Sequence, residues 1–129
     1  MGDFKKLDVW QAGHLLACAV YKSTCGFPKT EVYGLTAQLR GAAASIPANI
    51  ADGCGRNGDA ELGRFVRISL GSATELEYHL LLSRDIGLLE ESTYGQLTAQ
   101  AKRIQGMLAG LLHALKPGNP PTPSRGKCR

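Results

Sequence analysis

Apolar side chains recur at intervals of three and four residues in four separate segments of the chain. This spacing places them on one face of an α-helix, and a helix with one apolar face buries that face against another element. No segment alternates apolar and polar residues between turn-forming residues, so the sequence predicts no β-strand. The four apolar stripes are Val9, Gly13, Leu16 and Val20; Val32, Leu35, Leu39, Ala42, Ile46 and Ile50; Leu62, Val66, Ser69, Ala73, Leu76 and Leu80; and Leu97, Ala101, Ile104, Leu108, Leu111 and Leu115.

Polar and helix-breaking residues separate the four stripes. Asp8 is placed to cap the first helix, the second is predicted to begin at residues 30–31, and the third follows Asp59. Short connections between long consecutive helices make sequence neighbours antiparallel. We therefore predict an all-α fold, an antiparallel up-down-up-down four-helix bundle over residues 1–115.

Pro47 lies inside the second stripe. Its nitrogen carries no hydrogen to donate to the carbonyl of Ala43, and its ring crowds that carbonyl. We therefore expect a bend or a broken hydrogen-bond ladder between residues 43 and 47. Asn49 is placed either to serve the freed polar groups or to lie on the surface as an ordinary amide.

The net charge of +4 is concentrated at one end of the chain. Residues 116–129 form a proline-rich basic tail, which follows the bundle as a second region and contains no acidic residue. Residues 1–115 hold 11 basic and 11 acidic residues, so the bundle is formally neutral. Any attraction to phosphate is therefore predicted to come chiefly from the tail. Its cations are Lys116, Arg125, Lys127 and Arg129.

Arginines in the bundle offer a competing basic surface, because the planar guanidinium group suits phosphate. Arg64 and Arg67 share a helix face, and Arg56 lies in the adjoining turn. The other reading is that each arginine pairs within the protein with a nearby carboxylate. The candidate nucleic-acid-binding residues of the bundle are Arg40, Arg56, Arg64 and Arg67, and the candidate carboxylate partners are Glu31, Asp52, Asp59, Glu61 and Glu75.

Membrane and export signals are weak in this sequence. The longest wholly apolar run, residues 15–21, is far shorter than the roughly 20 residues that span a bilayer. Residues 1–8 are charged and are not followed by the apolar region of a secretory signal. We expect a cytoplasmic protein that does not associate with membranes.

Motifs that resemble catalytic, cofactor or metal sites lack their required context. Residues 53–58 match the dinucleotide pattern G-x-G-x-x-G, but helical spacing and a proline precede them where a buried strand is required. Glu75 and Glu77 point to different sides of a helix, so they do not form a carboxylate pair. His14 and Cys18 are one turn apart, but two further metal ligands are missing and there is no C-x-x-C pair. We predict a non-enzymatic protein with no cofactor, no metal and no evident small-molecule substrate.

The third helix carries more apolar residues than one buried face needs. A helix that is apolar nearly all round requires burial on more than one side, and no helix of a four-helix bundle is central. We therefore expect self-association. The residues predicted to contribute to the interface are Phe65, Ile68, Leu81 and Leu82.

Several short motifs resemble one protein family. They are Trp10-Gln11; Tyr33-Gly34-Leu35-Thr36-Ala37-Gln38-Leu39-Arg40; Ser45-Ile46-Pro47-Ala48-Asn49-Ile50-Ala51-Asp52-Gly53; Gly55-Arg56; and Gly71-Ser72 with Glu75-Leu76-Glu77. Together these motifs resemble the four-helix-bundle proteins encoded in intervening sequences of bacterial 23S rRNA genes. That family also includes the accessory variability determinants of diversity-generating retroelements. The resemblance covers about residues 4–115, with the motifs in the same order.

The resemblance implies a non-enzymatic bundle that assembles as a homopentamer. In the retroelement branch such an assembly is basic and binds the reverse transcriptase and its RNA. This chain departs from that branch in its formally neutral bundle and in Gly41, where the family pattern often has a second arginine. Two hypotheses therefore stand. One is a homo-oligomeric scaffold that binds RNA or a nucleoprotein such as a reverse transcriptase, and the other is an interaction module whose partner is another protein.

Overall fold

Each segment with a helical apolar period forms an α-helix. The computed structural model describes residues 3–116, and within that range it contains four α-helices, two short 3-10 turns and no β-strand. The predicted all-α fold with four helices is confirmed. The helices are α1 (Asp8–Ser23), α2 (Leu35–Cys54), α3 (Asp59–Asp85) and α4 (Glu91–Ala114), and the 3-10 turns are Phe4–Lys6 and Lys29–Glu31.

The four helices pack as a closed ring around one apolar core. Each helix contacts the next along the chain, and α1 contacts α4. The predicted stripes supply most of the core, 17 of its 23 buried apolar residues, because a helix buries the face on which its apolar residues coincide. The stripe residues of α3 are all buried: Leu62, Val66, Ser69, Ala73, Leu76 and Leu80. Val32 departs from the prediction, since it lies outside α2 and is 48% exposed.

The contact between α2 and α3 includes polar side chains and a close backbone approach. The buried Ser69 hydroxyl donates to the carbonyl of Ile46 at 2.8 Å, and the hydroxyls of Ser45 and Ser72 lie 2.8 Å apart. A Cβ atom at Gly53 would lie 3.0 Å from the Cβ of Phe65, so this position accepts glycine most easily. The serine contacts join the middle parts of α2 and α3, and the approach at Gly53 brings the end of α2 close to the start of α3.

Helix α2 continues through Pro47 without interruption. The helix is therefore not broken at the proline, and a bend there remains a prediction. The amide of Asn49 donates to both the carbonyl and the hydroxyl of Ser45 at 2.8 Å, and not to the Ala43 carbonyl that the proline leaves without its helical donor.

The helix ends differ from prediction at two places. Asp8 is the first residue of α1 and Leu7 occupies the cap position, so the predicted cap is displaced by one residue. The second helix was expected to begin at residues 30–31, but these belong to a 3-10 turn and α2 begins at Leu35. Glu31 caps α2 from the preceding 3-10 turn, because its carboxylate accepts a hydrogen bond from the Leu35 amide at 3.2 Å.

The predicted boundary between the bundle and the tail falls at the edge of the described region. Lys116 is exposed and follows the end of α4. The rest of the predicted tail, residues 117–129, lies outside the described residues. Over residues 3–116, no helix combines the length and the apolar character that crossing a membrane requires.

Candidate functional site

Arg40 of α2 binds to the end of α1. Its Nε donates to the Thr24 hydroxyl at 2.8 Å, its Nη2 donates to the Tyr21 carbonyl at 3.2 Å, and its guanidinium lies 4.8 Å from the centre of the Tyr21 ring. Carbonyls in the last turn of a helix have no partner within that helix, so Arg40 satisfies one at the end of α1. At least two of its donors are therefore used inside the protein.

Arg56 and Arg64 lie on the same aromatic ring at the turn between α2 and α3. Their guanidinium carbons lie 5.0 Å and 4.5 Å from the centre of the Phe65 ring. Stacking of this kind holds a guanidinium in place and favours a cation over the ring face. Phe65 itself is only 7% exposed. The ring is thus a buried support for two exposed arginines.

Each of these two arginines also pairs with a carboxylate. Arg56 contacts Asp52 at 3.2 Å, and Arg64 contacts both carboxylate oxygens of Glu61, at 3.0 Å and 3.5 Å. The hydrogen bond from Arg64 holds the pKa of Glu61 below its usual range, and the same bond raises the pKa of Arg64. Both pairs are open to water, where ion pairs contribute little to stability. Their main effect is to offset the positive charge locally.

The structure brings three of the four predicted bundle arginines together. We call Arg56, Arg64 and Arg67 the arginine cluster. Arg67 is exposed one turn after Arg64, and its side chain forms neither an ion pair nor a hydrogen bond with residues 3–116. Arg40 lies apart, fourteen residues along α2 from the helix end at Cys54 that leads to Arg56, or about 21 Å at 1.5 Å per residue.

Only one of the predicted tail cations is within the described chain. Lys116 is exposed at the end of α4. Arg125, Lys127 and Arg129 lie outside the described residues. The relative contribution of the tail and the arginine cluster therefore remains a prediction.

The four residues predicted for the self-association surface have different surroundings. Ile68 is 42% exposed, as an interface residue should be. Leu81 and Leu82 are half-buried. Phe65 is buried within the protomer, where it packs beneath Arg56 and Arg64, and its contribution to an interface stays a prediction.

Two further residues extend the exposed apolar surface of α3. Tyr78 is 57% exposed and Ile86, which directly follows the helix, is 53% exposed. At 3.6 residues per turn, Ile68 and Ile86 point in the same direction, and Leu82 and Tyr78 lie on the same half of the helix. We call these four residues the outer stripe of α3. Helical spacing measured from Ile68 was the signal in the sequence that could have identified it.

The glycine-rich motif forms a turn between helices. Residues 53–54 end α2, residues 55–58 form the turn, and α3 begins at Asp59. Gly58 has a φ of 86°, a conformation that favours glycine. The motif therefore stands in a helix–turn–helix context and not in the strand–turn–helix context of a dinucleotide site.

The His14 and Cys18 pair faces the groove between α1 and α2. The Nε2 of His14 lies 3.7 Å from the Sγ of Cys18. Within the described part of the chain, no three side chains of histidine, cysteine, aspartate or glutamate are grouped so that they could hold a metal ion.

Comparison with known proteins identifies relatives of this fold. A crystal structure of a protein of unknown function from Bacteroides thetaiotaomicron, assigned to the S23 ribosomal protein family, superposes with a TM-score of 0.73. The two chains are 20% identical, and the match covers 81% of this chain and 97% of the other. No curated protein matches significantly. The sequence model of the family described as 23S rRNA-intervening sequence protein matches residues 5–110. Since this match spans most of the chain, the protein belongs to the 23S rRNA-intervening sequence protein family.

Proposed function

We propose that this protein is a non-enzymatic helical scaffold that associates with copies of itself and binds RNA or a nucleoprotein. The outer stripe of α3 carries the proposal of self-association, because it exposes apolar side chains along the longest helix of the protein. Burying this apolar surface between protomers removes it from water, which is favourable by roughly 25 cal/mol for each Å² buried. Five protomers, the number implied by the family resemblance, is the proposed assembly.

The helices of each protomer are proposed to run alternately up and down. Two pairs of contacts between α2 and α3 support this: Ser45 lies beside Ser72, and Gly53 lies beside Leu62. As the residue number on α2 rises from 45 to 53, the number of the contacting residue on α3 falls from 72 to 62. This is the pattern of antiparallel helices. Between α3 and α4 the Gln105 side chain contacts Ala73 and Glu77. The short connections between the helices support the same arrangement.

RNA binding is proposed to depend first on the basic tail. Three arginines of the bundle already have partners, Arg40 on α1 and both Arg56 and Arg64 on carboxylates. The tail supplies four cations per chain and no acid. In an oligomer these cations multiply, and multivalent attachment raises the apparent affinity without new contacts. The proposed location is the cytoplasm, and a reverse transcriptase is the proposed protein component of a nucleoprotein partner.

A gel-shift titration with structured RNA over a series of salt concentrations tests the proposal. The full chain should bind with an affinity that falls steeply as salt rises, because phosphate contacts release counterions. The variant Arg125→Ala/Lys127→Ala/Arg129→Ala should bind more weakly and should have a smaller salt slope. Truncation after Leu115 should reduce binding further, and circular dichroism and light scattering check that the truncated bundle remains folded and assembled.

The same titration gives a different result if the arginine cluster, and not the tail, is the main contact with RNA. Glu61→Gln removes the carboxylate that occupies Arg64, and Arg67→Ala removes the exposed arginine that has no partner among residues 3–116. If the cluster is the site, Glu61→Gln strengthens binding, Arg67→Ala weakens it, and the truncated protein binds as tightly as the full chain. That result would reject the tail as the main contact.

The alternative function is a module that binds another protein. Two observations favour it. Carboxylates offset the positive charges of Arg56 and Arg64, and apolar side chains are exposed on α3, the helix that carries Arg64. This alternative replaces the RNA proposal if neither the full chain nor Glu61→Gln binds RNA at low salt.

A further inference from the structure

An apolar groove lies between α1 and α2 on the surface of the bundle. Its volume is about 490 Å³. The aromatic residues Phe4, Trp10 and Tyr21 line one side of it, and Ala48 and Ala51 of α2 line the other. We call it the aromatic groove. Because the side chains on α2 are small, a large side chain from another surface has room to enter it.

Neighbouring side chains hold the aromatic residues of the groove in place. The Phe4 and Trp10 rings meet edge to face at 5.0 Å, and the Trp10 ring stacks on His14 at 5.1 Å. At the other end of the groove, the Arg40 guanidinium lies 4.8 Å from the centre of the Tyr21 ring. These contacts lie within one protomer, so the groove has its shape before anything binds and needs little reorganisation to accept a partner.

The outer stripe begins on the half of α3 that is nearer to α2. Ile68 lies one turn before Ser72, whose hydroxyl is 2.8 Å from that of Ser45 on α2. Glu77, which contacts Gln105 of α4, comes nine residues after Ile68 and therefore points in the opposite direction. The outer stripe thus begins on the α2–α3 side of the bundle, and the adjoining α1–α2 side carries the aromatic groove.

Two contacts within the protomer relate positions along different helices. A Cβ atom at Gly13 on α1 would lie 3.1 Å from the Cγ2 of Ile46 on α2. The next contact joins Ser45, the neighbour of Ile46, to Ser72 on α3. Gly13 and Ser72 therefore lie at about the same height along the bundle.

The two ends of the aromatic groove lie at the heights of two residues of the outer stripe. In the proposed up-and-down arrangement α1 and α3 run in the same direction, so equal steps along both helices keep their heights matched. From the common height, Trp10 lies three residues back along α1 and Ile68 lies four residues back along α3. Tyr21 lies eight residues forward and Tyr78 lies six residues forward. Each pair is therefore level to within one helical turn of about 5.4 Å.

A closed ring of five copies brings two different surfaces of each protomer together. A surface that contacts the same surface of a second copy pairs the copies two by two, whereas a ring of five needs a head-to-tail contact. In a ring whose axis follows the helices, each surface meets the next copy at its own height. The two contact surfaces of one protomer then face directions about 108° apart. This angle is close to the right angle between adjoining sides of a four-helix bundle.

We infer that the outer stripe of one copy binds in the aromatic groove of the next copy. This inference rests on the proposed self-association and names the second surface that it uses. Ile68 enters the groove at the end formed by Trp10, and Tyr78 enters it at the end formed by Tyr21. The contact is head to tail, so every protomer supplies one stripe and one groove.

Light scattering on two complementary variants of the full chain tests the inference. Ala48 is exposed, and Ala48→Glu places a charge in the groove, so this variant should have the mass of one chain, 13.7 kDa. Its matched control is Ala109→Glu, at an exposed position of α4, which should leave the assembly unchanged. Ile68→Glu/Tyr78→Glu, which alters the stripe, should also have the mass of one chain.

Mixing the groove variant with the stripe variant should produce a species of two chains. Each variant keeps the surface that the other has lost, so one intact contact forms. The altered surfaces carry added charge of the same sign and repel each other, so the ring does not close. Circular dichroism checks that both variants keep their helices.

Chemical crosslinking tests the same contact in the assembled protein. Glu75 lies two turns after Ile68 on the same side of α3, and it is level with Cys18 of the groove to within one turn. A short bismaleimide, which does not demand the strict geometry of a disulfide, should join Glu75→Cys to the free Cys18 of the next copy. The control Glu75→Cys/Cys18→Ala should lose these crosslinks on a denaturing gel.

Three results would overturn the inference. One is an Ala48→Glu variant that remains an oligomer, which would show that the groove is not part of the contact. The others are a mixture of the two variants that keeps the mass of one chain, and equal crosslinking with and without Cys18. An unmodified protein with the mass of one chain would instead reject the proposed self-association, and this inference with it, so the two failures are distinguishable.

Discussion

The two sides of α3 carry apolar residues at similar helical spacing but meet different surroundings. On the inner side Ala73 and Leu76 are fully buried against neighbouring helices. On the outer side Ile68 and Tyr78 are 42% and 57% exposed. The inner side is explained by the fold of one protomer, since it fills the core. The outer side contributes little to that core, and a second protein surface would account for its composition.

The largest expected difference between the two sides comes from removing a large side chain. Leu76→Ala leaves a cavity in the core and should lower the free energy of unfolding by about 2–5 kcal/mol. Tyr78→Ala, two residues away on the outer side, should change it by less than about 0.5 kcal/mol in the dissociated protomer. Urea denaturation of both variants measures the difference. Equal losses would mean that the outer side is packed within the protomer.

A smaller difference is expected from removing a hydroxyl group. Ser69→Ala deletes the buried donor to the Ile46 carbonyl and should cost about 0.5–1.5 kcal/mol of unfolding free energy. The matched control is Thr74→Ser, which keeps the exposed hydroxyl that donates to the Leu70 carbonyl and should be nearly neutral. Thermal unfolding separates the two variants. A neutral Ser69→Ala would show that this contact between α2 and α3 is dispensable.

The smallest effect is expected at the glycines. Gly71→Ala should stabilise α3 by roughly 0.5–1 kcal/mol, because alanine restricts the unfolded chain and its Cβ would meet no atom of residues 3–116 within 4 Å. Gly53→Ala should lose this gain, since its Cβ would lie 3.0 Å from the Cβ of Phe65. Denaturation of the two variants tests this order. Destabilisation by Gly71→Ala would indicate a close neighbour on the outer side, which would have to come from another chain or from residues outside 3–116.

The buried half of the fold was predictable from the sequence because each helix repeats one residue class at one spacing. Every α3 stripe residue from Leu62 to Leu80 is buried as the period predicted. The beginning of α2 was not predictable, because residues 30–31 have helix-start chemistry but form a separate 3-10 turn, from which Glu31 caps α2. Local sequence does not distinguish a capping residue that directly precedes a helix from one that caps it from a separate turn.

The candidate sites were predictable only in part, because they depend on contacts between segments that are distant in the sequence. Phe65 counted as a surplus apolar residue until the structure placed it beneath Arg56 and Arg64. Arg40 matched a phosphate-binding residue type until it was found on the Tyr21 carbonyl. The groove lined by Phe4, Trp10 and Tyr21 was not anticipated, since its other side is formed by Ala48 and Ala51 of α2, far along the chain.

The proposal that the outer stripe of α3 is a self-association surface can be tested most directly by light scattering at micromolar concentration. The unmodified protein should have a mass several times the 13.7 kDa of one chain. Ile68→Lys/Tyr78→Lys should have the mass of one chain and keep the helical circular dichroism signal, because both side chains are exposed in the protomer. A mass of 13.7 kDa for the unmodified protein, or an unchanged oligomer in the variant, would contradict the proposal.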